Sequence, residues 1–175
     1  KSCGDSGGCN NNVACPISAG WENQISSVAL ITLGNGTRWC TGSILANTSL
    51  DDTPYFLTAD HCEDGKDVTT WVFYFNYQSP TCSPNADGAL AQSVSGSTLR
   101  AQSPGSDVCL LELTSPPPAA YGVFYSGWDK SGIAATSSTG IHHPAGDVKK
   151  FSVENDPVTT SGNYWRVNDW DDGTT

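Results

Sequence analysis

Apolar residues in this chain come in short runs that alternate with polar positions and are cut by glycine, proline and asparagine. Val28-Ala29-Leu30-Ile31-Thr32-Leu33 predicts a strand, and Gly34-Asn35-Gly36 turns it back into Thr37-Arg38-Trp39-Cys40 as a hairpin. Trp71-Val72-Phe73-Tyr74-Phe75-Asn76-Tyr77 is a strongly β-prone run. After a polar loop over 82–91, Ser93-Val94 and Ser97-Thr98-Leu99-Arg100 flank a glycine turn, and the apolar stretch 108–113 predicts a buried strand. Ser115-Pro116-Pro117-Pro118 cannot continue a strand, because proline brings no amide to a ladder, so it reads as a linker. Beyond it, 121–128, 139–142, 149–153 and 164–167 predict further strands. No stretch predicts a helix and none repeats. The pattern is that of one all-β domain over 1–175, in two groups of strands, 1–114 with the N-terminal arm and 115–175 with the linker.

Composition narrows the class. A chain of 175 residues can bury a sizeable core. No apolar run is long enough to span a bilayer and no secretory leader precedes Lys1, so the sequence reads as a processed, soluble chain with no membrane partner. The formal charge of −10, with only eight scattered Lys and Arg residues, argues against nucleic acid, since phosphate backbones require a basic patch. Seven cysteines fit an oxidising compartment, and their odd number leaves at least one without a partner inside the chain.

Candidate chemistry centres on His61 and Asp107. His61 ends the apolar run Phe56-Leu57-Thr58-Ala59-Asp60, and Asp107 opens the strand Val108-Cys109-Leu110-Leu111. Histidine titrates near neutrality, so it can take a hydroxyl proton and return it to a leaving amine, provided an acceptor fixes one ring nitrogen as the donor. An aspartate at the head of an apolar strand supplies that acceptor. Taken singly, each residue also suits a bland role, a hydrogen-bonded histidine and a turn-capping aspartate. Their joint presence favours catalysis.

These residues carry a resemblance to the chymotrypsin-like serine proteases, and within them to the bacterial lysyl endopeptidases. The similar segments are Gly7-Gly8-Cys9-Asn10 with Val13-Ala14-Cys15-Pro16, Cys40-Thr41-Gly42-Ser43, Tyr55-Phe56-Leu57-Thr58-Ala59 with His61-Cys62, Asn76-Tyr77-Gln78 with Thr81-Cys82, and Ser126-Gly127-Trp128-Asp129 with Ile141-His142-His143-Pro144. The resemblance implies a chymotrypsin-like double β-barrel, with the first barrel complete over 1–114 and the second incomplete over 115–175. It also implies a secreted, extracellular endopeptidase that acts on polypeptides, after lysine in that family's manner, through an acyl-enzyme and without a cofactor. His61 is then the general base and acid, and Asp107 orients it. The nucleophilic serine of the family lies in a Gly-x-Ser-x-Gly loop shortly after a segment like Val167-Asn168-Asp169-Trp170, so it is expected beyond residue 175, with the acidic specificity residue beyond that. A C-terminal fragment completing the second barrel is the implied partner, and this chain alone is expected to be inactive. By the same resemblance Cys40 pairs with Cys62, Cys15 with Cys82, and Cys9 with a cysteine after residue 175, while Cys3 and Cys109 have no counterpart. The segment 155–163 is shorter than its family equivalent, which removes support for any aromatic contact that the longer loop makes.

Other motifs read as structural. Gly4-Asp5-Ser6-Gly7-Gly8 spells the sequence around a trypsin-like nucleophile, but no strand flanks it, and an oxyanion turn must be rigidly supported. Adjacent His142 and His143 on a strand point to opposite faces, which argues against a metal pair. Asp169-Trp170-Asp171-Asp172 lacks the ligand spacing of a calcium loop, and Asn35-Gly36-Thr37 and Asn47-Thr48-Ser49 are short glycosylation patterns of low information. Cys109 reads as a small buried hydrophobe, and its place two residues from Asp107 on one strand rules it out as a nucleophile. The competing function is a catalytically inactive, protease-like binding or structural module, for which keeping both His61 and Asp107 has no evident use.

Overall fold

The computed structural model describes residues 4–175. In chain order its regular elements are β1 (Asn11–Asn12), α1 (Glu22–Ser27), β2 (Val28–Thr32), β3 (Arg38–Leu45), β4 (Tyr55–Thr58), α2 (Asp60–Glu63), β5 (Val72–Phe75), β6 (Ser93–Ser95), β7 (Ser97–Ser103), β8 (Val108–Leu113), β9 (Ser138–His142), β10 (Lys150–Glu154), β11 (Thr159–Ser161) and β12 (Tyr164–Arg166), with short 3-10 turns between them. The fold is mostly β.

Seven strands form one sheet in the order β6-β5-β2-β3-β4-β8-β7. Every residue of β2 is buried, as a strand paired on both sides and covered on both faces must be. The strands at the two ends of the order, β6 and β7, are consecutive in the chain and hinge at Gly96, whose φ of 80° a side chain would strain. The sheet therefore curls back on itself around Ile31, Ile44, Phe56, Trp71, Phe73, Phe75 and Leu111, with Phe56 and Phe73 meeting edge to face at 4.8 Å. At Gly42 a Cβ would overlap the Phe56 ring and the Leu57 carbonyl, so glycine is what lets β3 lie close to β4. A second, three-stranded sheet has the order β1-β10-β9, and β11 with β12 makes a separate hairpin.

Two expectations fail. The stretch 121–128 forms no strand; it touches the sheet only through the isolated parallel bridge of Leu45 with Ser126. Its alternation is real but serves packing, since Tyr121, Val123 and Tyr125 lie against the core of the first sheet. Two short α-helices also appear where none was expected. Each is one or two turns long and mostly polar, too short to display a helical period, and α1 is held by burial of Ile25 and Ser27.

The N-terminal arm is fixed across the second sheet by an unusual set of buried charges. Asp147 is fully buried, and its carboxylate accepts from the amides of Gly4 at 2.9 Å, Ser6 at 3.4 Å and Val148 at 2.7 Å, and from the Ser6 hydroxyl. Lys150 lies 3.7 Å away and donates to Asn12 and Asn85. Burial pushes the Asp147 carboxyl up, but donation from Ser6, Gly4 and Val148 and the Lys150 charge outweigh it and leave its pKa below the ordinary aspartate value. Lys149 is buried too, donating to the Ile25 carbonyl at the end of α1 at 2.7 Å, and burial pushes its pKa down to about 7.

Because the native pKa of Asp147 is depressed, its contribution is present above the unfolded aspartate value and is lost as pH falls through the lower native value. Asp147→Asn should release the arm, with hydrogen exchange at the Gly4 and Ser6 amides accelerating by the equivalent of about 2 kcal/mol. Acidification of the unsubstituted chain should produce the same loss of protection once rates are referred to intrinsic exchange at that pH, and amides that stay protected in both conditions would show that the carboxylate is not what holds the arm.

Candidate active site

The central strand β4 delivers the chain to α2, and one helical turn divides its side chains between core and solvent. Cys62 points inward at 3 % exposure, while the His61 side chain is 72 % exposed. Cys62 is bridged to Cys40 on β3, with the Cα atoms 6.3 Å apart. Trp39 adds a second brace by donating from Nε1 to the Cys62 carbonyl at 2.8 Å. The histidine is thus exposed on a loop whose root cannot move.

Asp107 follows the 3-10 turn Pro104–Ser106 and has φ 51° and ψ 44°, a left-handed conformation that aspartate tolerates better than most residues. Its Oδ1 accepts from the His61 backbone amide at 2.9 Å, and its Oδ2 lies 2.8 Å from His61 Nδ1. The first of these bonds, and then the ring contact, holds the Asp107 carboxyl below the usual carboxylate range. An ionised carboxylate at Nδ1 makes that nitrogen the donor and leaves Nε2 directed away from the carboxylate. Among the described residues no serine or threonine hydroxyl is hydrogen-bonded to His61. Ser6, the serine of the Gly-Asp-Ser-Gly motif, is instead bonded to Asp147.

Beside the pair lies an open cleft of about 340 Å³, mostly apolar, to which Thr41, Gly42, Ser43, Ala59, Asp107 and Ile141 contribute. Ile141 comes from β9, so the cleft lies between the two sheets. His142 and His143 stand at the same end of β9 but do not join a site. His143 is buried, stacks on Tyr77 at 5.9 Å and bonds the Asp147 carbonyl through Nδ1 at 2.9 Å. Burial pushes the pKa of His142 down to about 4, and that of His143 well below its ordinary value.

Cys40, His61 and Cys62 are the one group among the described residues whose ligand atoms cluster closely enough for a metal, but the bridge consumes both sulfurs and leaves a single donor. The acidic segment near the C-terminal end is engaged in structure, since Asp171 accepts from the Asn155 amide and side chain and Asp172 from Asn11. Cys15 is bridged to Cys82 with Cα atoms 4.4 Å apart. Cys9 is exposed and Cys109 buried, both free; burial pushes the Cys109 thiol up to about 11, which leaves it unreactive. Cys3 lies outside the described residues. Two features escaped the sequence reading: the Trp39 brace and a hydrogen bond from Tyr164 Oη to the Gly105 carbonyl in the turn before Asp107. Both join residues distant in sequence, and neither aromatic sits in a recognisable motif.

Comparison with known proteins gives a consistent answer. Residues 3–175 match the family model described as lysyl endopeptidase, C-terminal domain. A curated lysyl endopeptidase of Pseudomonas aeruginosa is 34 % identical over 165 residues, covering 87 % of this chain and 35 % of the relative. The chain therefore spans about a third of the length of that relative.

The Cys40–Cys62 bridge closes a loop over a sequence separation of 22 residues. Replacing both cysteines by serine should lower stability by about 3 kcal/mol on the chain-entropy account, read as a lowered denaturation midpoint. Retention of the original midpoint would show that the Trp39 contact and β3–β4 pairing alone fix the histidine loop.

Proposed function

The chain belongs to the lysyl endopeptidase family, and from that premise we propose that it carries the histidine and aspartate of an extracellular serine endopeptidase acting on polypeptides at lysine. The observation that carries this reading is the two-point grip of Asp107 on His61, through the backbone amide and through Nδ1. That grip does what a general base requires. It fixes the tautomer, aims Nε2 outward, and stabilises the imidazolium that forms when Nε2 takes a hydroxyl proton. His61 then returns the proton to the leaving amine, and the acyl-enzyme is hydrolysed by water that the same imidazole activates.

The serine belongs to sequence outside these 175 residues. Support comes from the absence of any hydroxyl on His61 among the described residues and from the relative's greater length. In this reading further strands complete a second barrel on β9, which among the described residues pairs with β10 alone, and close the cleft over His61. Cys9, exposed and free, takes a partner from that added segment. Lysine preference rests on the relative's name, with the acidic pocket residue also outside this chain. Two disulfides favour an oxidising compartment, and among the described residues no helix is long and apolar enough to cross a membrane.

A fluorophosphonate probe separates this proposal from an inactive binding module. A longer form of the protein, with the sequence that follows Thr175, should be labelled at a serine outside 1–175, and His61→Ala or Asp107→Asn should cut its turnover by roughly 10³- to 10⁴-fold. The 175-residue chain should remain unlabelled. Labelling at Ser6 in that chain, or full activity of the Asp107→Asn form, would defeat the assignment.

A further inference from the structure

Asp107 is held from the side of His61, and its turn is closed locally by the pairing of Ser103 with Val108 and by the bond of the Asp107 amide to the Pro104 carbonyl at 3.3 Å. The turn Pro104–Ser106 that presents it is surface-exposed, and the side-chain oxygen of Ser106 is spent on Ser103 at 2.6 Å. A left-handed aspartate persists only where its surroundings over-determine it, so every contact on this turn counts. A further contact on the turn comes from a segment distant in sequence. Tyr164, at the start of β12, donates from Oη to the Gly105 carbonyl at 3.4 Å.

The setting of that bond separates it from ordinary packing. All residues of β11 and β12 are exposed, and the hairpin belongs to neither larger sheet. Among the described residues, the Tyr164 bond is the one hydrogen bond between this hairpin and the elements of the first sheet; the other side-chain bonds of the hairpin stay local, from Thr159 to Arg166 and Asn168. Tyr164 is 49 % exposed and Trp165 is 50 % exposed, so burial does not explain the tyrosine's position. Neighbouring residues on a strand face opposite ways, so Trp165 turns away from the face that Tyr164 uses.

We propose that Tyr164 is a positioning residue for the reaction: by tying the Gly105 turn to the β11–β12 hairpin, it holds Asp107 in register with His61. This rests on the endopeptidase reading above and adds a residue to it. Loss of the hydroxyl leaves the fold and the substrate cleft intact but lets the carboxylate wander, so the imidazolium is less stabilised and the proton is transferred less readily.

The test uses the active, longer protein and a lysyl peptide or ester substrate. Tyr164→Phe keeps the ring and should lower kcat about fivefold with KM within about twofold, the size expected for one modest hydrogen bond acting on the transition state. The acid limb of the kcat/KM profile, set by protonation of His61, should move to lower pH, a change that a purely structural role would not cause. Trp165→Ala, an equally exposed aromatic on the other face, should leave that limb in place. Unchanged kcat and acid limb in Tyr164→Phe would overturn the proposal, as would the same shift in Trp165→Ala. Asp107→Asn, measured in parallel, tells the two failures apart. If it abolishes turnover while Tyr164→Phe does nothing, only the tyrosine's role falls; if it too is fully active, the endopeptidase reading falls with it.

Discussion

The pairing of β4 on both edges is the constraint from which the site follows. Ser43 lies opposite Leu57 on one side and Cys109 opposite Thr58 on the other. The antiparallel sense then carries the end of β4 and the start of β8 out of the same end of the sheet. His61, three residues past Thr58, and Asp107, two residues before Cys109, have nowhere else to meet. Burial of Phe56 and Leu111 at 0 % exposure fixes that register, because a slip by one position would turn both into solvent.

Covalent and polar braces act on what the register leaves loose. The Cys40–Cys62 bridge and the Trp39 indole hold the root of α2, and the Asp107 carboxylate holds its exposed residue. The histidine stays open to solvent all the same, so a fixed backbone is combined with an accessible ring beside an open cleft. Rigidity here comes from the frame, not from burial of the imidazole.

The second sheet is organised by charge as much as by apolar contact. Asp147, Lys149 and Lys150 are all buried near the arm, each with hydrogen-bonding partners, while His142 and His143 stay neutral through burial. Such groups are costly to bury unless paired, so they dictate one arrangement of the arm, the Pro144–Gly146 turn and β10. Arg38 extends this to the first sheet by donating to the Gly146 carbonyl at 2.9 Å and lying over the Tyr77 ring. The Gly-Asp-Ser-Gly motif is absorbed into this structural role through Ser6.

Short apolar runs bounded by turn residues made most strands legible, with a period of two where one face is open, as in β5 and β8, and as a continuous run where both are covered, as in β2: β2, β5, β8, β9 and β10 all fall within a residue or two of the expected spans. That His61 and Asp107 pair was also legible, since each sits at the edge of an apolar run. The stretch 121–128 shows the limit of that signal. Its aromatics alternate as in a strand, yet they cover a core already built by other strands, and only the completed sheet decides between pairing and packing. The same holds for the Asp147 latch, the Trp39 brace and the Tyr164 contact. Each joins segments separated by many residues, and no local pattern encodes a hydrogen bond whose donor and acceptor meet only after the chain has folded.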